Sequence, residues 1–229
     1  MASTQIYGEK NMKKIQVFIC YSSRDDRIGG SIKAVFDNYF GFNSFLAHDN
    51  LKISDDWPRE VWRNLIRAEY VVPIISSHFE HSAFANQEIG LSLAWGKNIV
   101  PISIDGTNPH GFIKFKQAYK CHGDSEHELI RAVTEVYSLA FHHPKYRQYR
   151  NRSVEALVDS FCSSNHFLIT SVTVDVMTEV RKAVPFTQSQ IDNMKQAIKV
   201  NPQIYNADFV MPKVATFMKN CCNVVIDRS

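Results

Sequence analysis

The sequence predicts an α/β protein built on a parallel sheet, with a smaller helical segment after it. Over residues 15–140, short apolar runs alternate with segments of helical periodicity. Several of these runs are apolar on both faces, as the buried strands of parallel sheets are. After Phe141 the alternation stops. We therefore expect a doubly wound sheet of five short strands, followed by a mainly helical module.

Composition and charge are those of a globular protein. The 229 residues are 45% hydrophobic and 21% charged, which is enough for one α/β domain and a small appendage. A formal charge of +3 is too small to indicate a nucleic-acid partner. No run approaches the ~18 to 20 apolar residues that span a bilayer, and the first ten residues lack the apolar core of a signal peptide. The five cysteines are odd in number and have no CxxC spacing, so we expect a cytoplasmic protein without a membrane partner.

The first strand and helix follow directly from the pattern. Residues 15–20 are an apolar run, and the next helix is predicted over residues 27–39, where apolar side chains recur at helical spacing. Asp25 or Asp26 is expected to cap that helix. Residues 43–47 then read as the second strand.

The second helix is predicted to open at residues 56–58, with an aspartate at the cap and a proline in the first turn. The later elements of the alternating region are expected at residues 70–75 (strand), 82–95 (helix), 99–104 (strand), 117–120 (strand) and 126–140 (helix).

Beyond the alternating region we expect a linker over residues 141–152 and a helical module over 153–229. Residues 145–152 are basic with interleaved tyrosines. A nucleic-acid patch is one interpretation, but a solvated linker or a first helical turn is favoured. Within the module, residues 187–200 carry one apolar helical face, whereas the β-branched residues 168–176 leave helix and strand both open.

Four motifs in fixed order resemble those of a TIR domain. Residues 17–22 form an apolar strand ending in Cys-Tyr-Ser, similar to the family's first box, in which Ser, then Tyr or His, then Ser follow the strand. Residues 45–57 resemble the second strand with the mobile BB loop, 68–76 the third strand with its trailing serine, and 96–102 the entry to the fourth strand. The resemblance covers residues 13–140 and implies a flavodoxin-like sheet of strand order 2-1-3-4-5.

The resemblance also implies an activity. Enzymatic TIR domains carry a glutamate that cleaves the nicotinamide–ribose bond of NAD+, and Glu88 falls at the matching position. Such enzymes commonly have tryptophan four residues earlier, where this chain has Phe84. The BB loop also lacks glycine, having Lys-Ile-Ser-Asp at residues 52–55. Without the resemblance, Glu88 would be interpreted as an ordinary solvent-facing helix residue.

Ligands of such sheets bind at the carboxyl ends of the strands, which agrees with this placement. One carboxylate can suffice, because the nicotinamide leaves as a neutral group and needs no general acid. Glu88 is expected to hydrogen-bond the ribose hydroxyls and to stabilise the developing cation. The predicted substrate-binding residues are Tyr21, Ser22, Ser23, Asp49, Leu51, Ser76 and Phe84.

No cofactor is expected beyond NAD+ as substrate. The glycine-rich phosphate loop of a Rossmann dehydrogenase is absent. His78 and His81 would need further ligands to hold a metal, and none is indicated, so no metal site is predicted.

Two hypotheses follow from the resemblance. The first is an NAD+ glycohydrolase or ADP-ribosyl cyclase, similar to stand-alone TIR proteins of bacterial anti-phage systems of the Thoeris kind. Its product, ADP-ribose or a cyclic isomer, would signal to a separate effector after a phage trigger, and self-association would complete the active site. The alternative is a non-catalytic adaptor that acts through TIR–TIR contacts, is indifferent to Glu88 and depends on residues 53–57.

Overall fold

The computed structural model describes residues 14–47 and 57–226, and it has a parallel sheet with helices on both sides, followed by further helices. The strands are β1 (Gln16–Cys20), β2 (Asn43–Leu46), β3 (Tyr70–Ile75), β4 (Asn98–Ile99), β5 (Ile102–Ser103) and β6 (Tyr119–Lys120). The helices are α1 (Asp26–Tyr39), α2 (Trp57–Arg67), α3 (Ala83–Ala94), α4 (Glu126–His142), α5 (Arg150–Cys162), α6 (Phe167–Val180), α7 (Gln188–Val200), α8 (Pro202–Tyr205) and α9 (Met211–Cys222). The α/β fold class predicted from the sequence is confirmed.

The strands pair in the order β2-β1-β3-β5-β6, all parallel, and β4 also pairs with β3. The predicted fourth strand, residues 99–104, is split into β4 and β5. Pro101 lies between them and has no N–H to donate. Its carbonyl still accepts a hydrogen bond from the Tyr119 N–H at 3.0 Å. If β4 and β5 are counted together as the fourth strand and β6 as the fifth, the strand order is the predicted 2-1-3-4-5.

Because β1 is buried on both faces, alternate side chains enter two different cores. Val17, Ile19 and Tyr21 lie in the core shared with α1 and α4. Phe18 and Cys20 lie in the smaller core shared with α2 and α3. We call these two sides of the sheet the α1/α4 face and the α2/α3 face.

The C-terminal helices pack on the α1/α4 face. Helix α5 contacts α1, and α6 contacts α4. Leu157, Phe161 and Met177 are fully buried members of the same hydrophobic cluster as the sheet residues of that face. This core therefore runs without a break from the sheet into the C-terminal helices.

The ambiguous residues 168–176 belong to helix α6. Their β-branched side chains are mostly buried against neighbouring helices, and tertiary packing overrides strand propensity. The Thr173 hydroxyl donates to the Ile169 carbonyl at 2.8 Å, so its polar group is satisfied within the helix. No helix in the described part of the chain is both long and apolar enough to cross a membrane.

Residues 141–152 span the end of α4, a 3₁₀ turn at Pro144–Tyr149 and the start of α5. The Tyr146 ring is buried at 5.2 Å from the ring of Tyr70, and its hydroxyl accepts a hydrogen bond from the Asn98 side chain at 3.1 Å. The Arg150 guanidinium donates to the Phe141 carbonyl at 2.8 Å. These contacts hold the turn against β3 and β4.

Candidate active site

Three loops meet at the carboxyl edge of the sheet, after β1, β3 and β5. The loop after β1 forms a short 3₁₀ turn at Ser23–Asp25, closed by a hydrogen bond from the Asp25 N–H to the Ser22 carbonyl at 2.8 Å. Helix α1 begins directly after it. The three loops form the rim of the candidate site.

Asp25 was expected as a possible cap of α1, but its side chain makes no capping hydrogen bond. Its carboxylate is buried and accepts a hydrogen bond from the Ser76 hydroxyl at 2.6 Å. The same Ser76 oxygen accepts from the backbone N–H groups of His78 and Phe79 at 3.1 and 3.2 Å. Buried polar groups are almost always hydrogen-bonded, and the Asp25 carboxylate bonds to Ser76 instead of capping α1. The predicted ligand residue Ser76 thus joins the loops after β1 and β3.

Asp105 makes the matching connection between the loops after β3 and β5. Its carboxylate accepts hydrogen bonds from the backbone N–H of Ser77 at 2.8 Å and of Thr107 at 3.0 Å. Burial alone would raise the pKa of Asp105, but the hydrogen bonds from Ser77 and Thr107 hold it below its ordinary value. The rim is therefore fixed by two carboxylates.

Among the predicted binding residues at this rim, Ser22 is buried and Ser23 is exposed. Tyr21 has 0% of its surface exposed, because it lies on the α1/α4 face, and its hydroxyl donates to Asp26 at 3.2 Å. Its ring therefore offers no accessible face for a ligand in this conformation. Asp49 and Leu51, also predicted to bind substrate, lie outside the described residues.

Helix α3 carries Phe84 and Glu88. Its N-terminus is capped by the Ser82 hydroxyl, which accepts from the Ala85 N–H at 3.3 Å. Phe84, in the first turn, is 48% exposed, whereas Glu88, one turn later, is only 3% exposed. A half-exposed aromatic ring and a buried carboxylate thus lie one turn apart on one side of the helix.

Burial of the Glu88 carboxylate is energetically unfavourable. Neither carboxylate oxygen has a hydrogen-bond partner of ordinary geometry within residues 14–47 and 57–226. Burial raises the pKa of Glu88 from 4.5 to about 7, and the nearby Cys20 thiol opposes this rise. A carboxyl group with such a pKa changes its charge near neutral pH, which is a property that acid–base and electrostatic catalysts share.

Cys20 is a neighbour of Glu88 that the sequence pattern does not predict. The strand alternation directs it to the α2/α3 face, where its thiol donates to the Ala85 carbonyl at 3.4 Å. Burial, and then the charge of Glu88, raise the pKa of Cys20 well above its ordinary value, so the thiol stays protonated. It stands where the first box that residues 17–22 resemble has serine. The sequence does indicate that Cys20 and Tyr21 face opposite sides of the sheet, because adjacent residues of a strand alternate in direction.

The described residues contain no cluster of three or more histidine, cysteine, aspartate or glutamate side chains arranged to hold a metal ion. All five cysteines are free thiols.

The chain is similar to known TIR domains. The crystal structure of the TIR domain of the Toll-related receptor TRR-2 from Hydra magnipapillata aligns with a TM-score of 0.45 and 13% sequence identity, covering 55% of this chain and 99% of that one. No curated protein matches the chain significantly. The family model described as the TIR domain matches residues 17–136, which is more than half of the 229 residues. The chain therefore belongs to the TIR domain family.

Proposed function

We propose that this protein cleaves the nicotinamide–ribose bond of NAD+ and that Glu88 is the catalytic carboxylate. The observation that carries the proposal is the burial of Glu88 with neither oxygen in a hydrogen bond of regular geometry among the described residues and with the Cys20 thiol as a weak polar neighbour, one helical turn from the exposed Phe84 ring. A buried carboxylate so poorly compensated destabilises a fold, so its presence near the carboxyl edge of the sheet is best explained by function.

The chemistry requires only one carboxylate. The bond between the ribose C1′ and the nicotinamide nitrogen breaks, and its electron pair leaves with the now neutral nicotinamide. Positive charge develops on the ribose ring as an oxocarbenium-like centre. In a site of low polarity, the negative charge of Glu88 stabilises that centre more strongly than it would in water.

The positive charge of bound nicotinamide would also act on Glu88. A cation close to the carboxylate favours its ionised form and lowers its pKa from about 7. The substrate would thus generate the charged catalyst on binding. After departure of nicotinamide, Glu88 would take the proton of the attacking water, which then forms the new bond to C1′.

Attack by water gives ADP-ribose, and attack by a group of the same molecule gives a cyclic isomer. We propose that this product is a signal made in the cytoplasm in anti-phage immunity, sensed by a separate effector. Self-association of the TIR domain and a phage-derived trigger would activate the enzyme. In this proposal the exposed Phe84 ring stacks against an aromatic base of the substrate.

One observation favours the second function, a TIR adaptor without catalysis. With 3% of its surface exposed, Glu88 is not accessible to a substrate in this conformation. The enzyme hypothesis requires that activation open the site, whereas the adaptor hypothesis requires no such change. The adaptor would lose function through changes in residues 53–57 and would be indifferent to Glu88.

Nicotinamide release by the purified full-length protein at high concentration separates the two functions. We expect release from NAD+ by the unmodified protein and by Glu80→Gln, an exposed carboxylate on the loop before α3. Glu88→Gln should lose at least about a hundredfold in rate, because removal of one electrostatic stabiliser commonly has that effect. Chromatography of the second product distinguishes hydrolysis from cyclisation. Equal rates for Glu88→Gln and unmodified protein, or no release by either when crowded or mixed with infected-cell lysate, would favour the adaptor.

A further inference from the structure

Helix α2 presents two parallel stripes to solvent. Three arginines, Arg59, Arg63 and Arg67, recur every four residues, and so do Pro58, Trp62 and Ile66 beside them. Residues four apart lie above one another on a helix, so each set forms a continuous line along its surface. We call the surface formed by these six residues the Arg–Trp surface.

The apolar stripe is exposed even though the rest of α2 is well packed. Val61 and Leu65 are buried in the core of the α2/α3 face, which fixes the orientation of the helix. Trp62 and Ile66 are nevertheless 51% and 54% exposed. Large apolar side chains that remain exposed side by side on an ordered helix are typical of an interaction site.

The Arg–Trp surface borders a shallow groove that is open to solvent. Its six residues line a groove of about 640 Å³. On the side of α3, the indole of Trp95 meets that of Trp62 edge to face, with ring centroids 5.7 Å apart. The contact with Trp95 restricts the Trp62 ring before any ligand arrives, which reduces the entropy lost on binding.

The formal charge of helix α2 is positive. Glu60 is the one acidic residue of α2, and it forms an ion pair with Arg63. Three arginines against one glutamate leave a net charge of +2 on the helix. Two copies of the chain packed α2 against α2 would bring their arginines together, so the charge disfavours a symmetric contact between copies.

We propose that the Arg–Trp surface binds an acidic amphipathic helix of a partner protein. The occupant needs apolar side chains four residues apart to fill the groove, and aspartate or glutamate beside them to meet the arginines. Tryptophan and arginine are the residues that most often dominate the energy of protein interfaces. A membrane is a poorer match, because Trp62 and Ile66 are the only large apolar side chains of the described Arg–Trp surface that could enter lipid, while Val61 and Leu65 are held in the core.

A selection from a displayed library of helical peptides, with the immobilised full-length protein as bait, tests this inference without reference to NAD+. We expect the selected peptides to carry acidic residues and apolar residues at four-residue spacing. Their affinity should fall about tenfold or more in the double variant Trp62→Ala/Arg63→Glu. The matched control is Phe209→Ala/Lys219→Glu, which removes an exposed ring and an exposed cation from the C-terminal helices. Circular dichroism of both variants checks that they fold, since all four side chains are exposed.

Three results would overturn the proposal. The first is a selection that yields neutral or basic peptides, or acidic peptides whose affinity the double variant retains. The second is binding of phosphatidylserine vesicles or single-stranded RNA that depends on Trp62 and Arg63 while no acidic peptide is selected. The third is self-association that Arg63→Glu abolishes, measured by sedimentation, because the surface would then bind a second copy.

Discussion

The two faces of the sheet differ in what covers them. On the α1/α4 face, the C-terminal helices extend the core, and Leu139 is the one large apolar side chain of α1 and α4 that stays exposed among the described residues. On the α2/α3 face there is no second layer in the described structure. Its exposed large apolar side chains are Trp62, Ile66, Phe84, Trp95, Phe112 and Phe115.

This difference separates stability from function. The α1/α4 face, which the C-terminal helices cover, provides most of the buried apolar surface, and burial of apolar surface is the main source of folding free energy. The α2/α3 face carries the buried Glu88, whose oxygens make no hydrogen bond of regular geometry among the described residues, and the exposed Arg–Trp surface, both of which stability alone would not select. One face of the TIR domain is therefore covered by the C-terminal helices, and the other has no such cover in the described structure.

The largest expected effect is a loss of stability when the core of the α1/α4 face is disrupted. Phe161 of α5 is fully buried in the shared core, so Phe161→Ala should lower the free energy of unfolding by about 3 to 5 kcal/mol. Phe112 is 86% exposed on the open side, and Phe112→Ala should change it by less than about 0.5 kcal/mol. Urea unfolding measures both. Two separate transitions in either protein, one for the TIR domain and one for the C-terminal helices, would contradict a shared core.

A smaller effect is expected at the rim. Ser76→Ala removes the hydroxyl that donates to the buried Asp25, which should cost about 1 to 3 kcal/mol of unfolding free energy. The control Ser31→Ala, on the exposed side of α1, should stay within about 0.5 kcal/mol. Thermal unfolding of the two variants provides the comparison. If they prove equally stable, Asp25 does not depend on Ser76.

The smallest expected effect is a shift in the pH dependence of activity when Cys20 is replaced. The thiol lowers the pKa of Glu88, so Cys20→Ala should move that pKa further above about 7. Cys20→Ser, which keeps a hydrogen-bond donor, should not. If Glu88 acts ionised, kcat/KM for NAD+ rises with pH through its pKa, and the midpoint of that rise reports the change. A midpoint that is the same in Cys20→Ala and unmodified protein would show that the two groups are not coupled.

Much of the fold could be predicted from the sequence, because strand and helix periodicities along residues 15–140 are clear and caps mark several helix ends. The split of the fourth strand at Pro101 was not predicted, since it depends on ladder hydrogen bonds. Residues 168–176 stayed ambiguous because their β-branched side chains favour strands locally, and only packing against the other helices decides the outcome.

The candidate site was predictable in part. Phe84 and Glu88 follow from motif position and helical spacing. The orientation of Tyr21 and Cys20 does not, because β1 is apolar on both faces and no hydrophobic–polar alternation marks which side faces α3. The role of Asp25 was also missed, since an aspartate before a helix is usually its cap and the contact with Ser76 joins residues distant in sequence.

The most direct measurement is the unfolding free energy of Glu88→Gln and unmodified protein across pH, paired with nicotinamide release by the same samples. The pKa of Glu88 is about 7 in the folded protein against an ordinary 4.5, so ionisation favours the unfolded state. The stability of the unmodified protein should therefore fall as pH rises from 4.5 through 7. Glutamine does not ionise, so Glu88→Gln should not lose stability in this way. Its unfolding free energy should exceed that of the unmodified protein by about 2 to 3 kcal/mol at pH 8, with no difference near pH 4.

We predict that Glu88→Gln is the more stable protein above neutral pH and releases nicotinamide at least about a hundredfold more slowly. A variant that is less stable than the unmodified protein at pH 8 and still cleaves NAD+ would show that Glu88 is a structural residue, contradicting its assignment as the catalytic carboxylate.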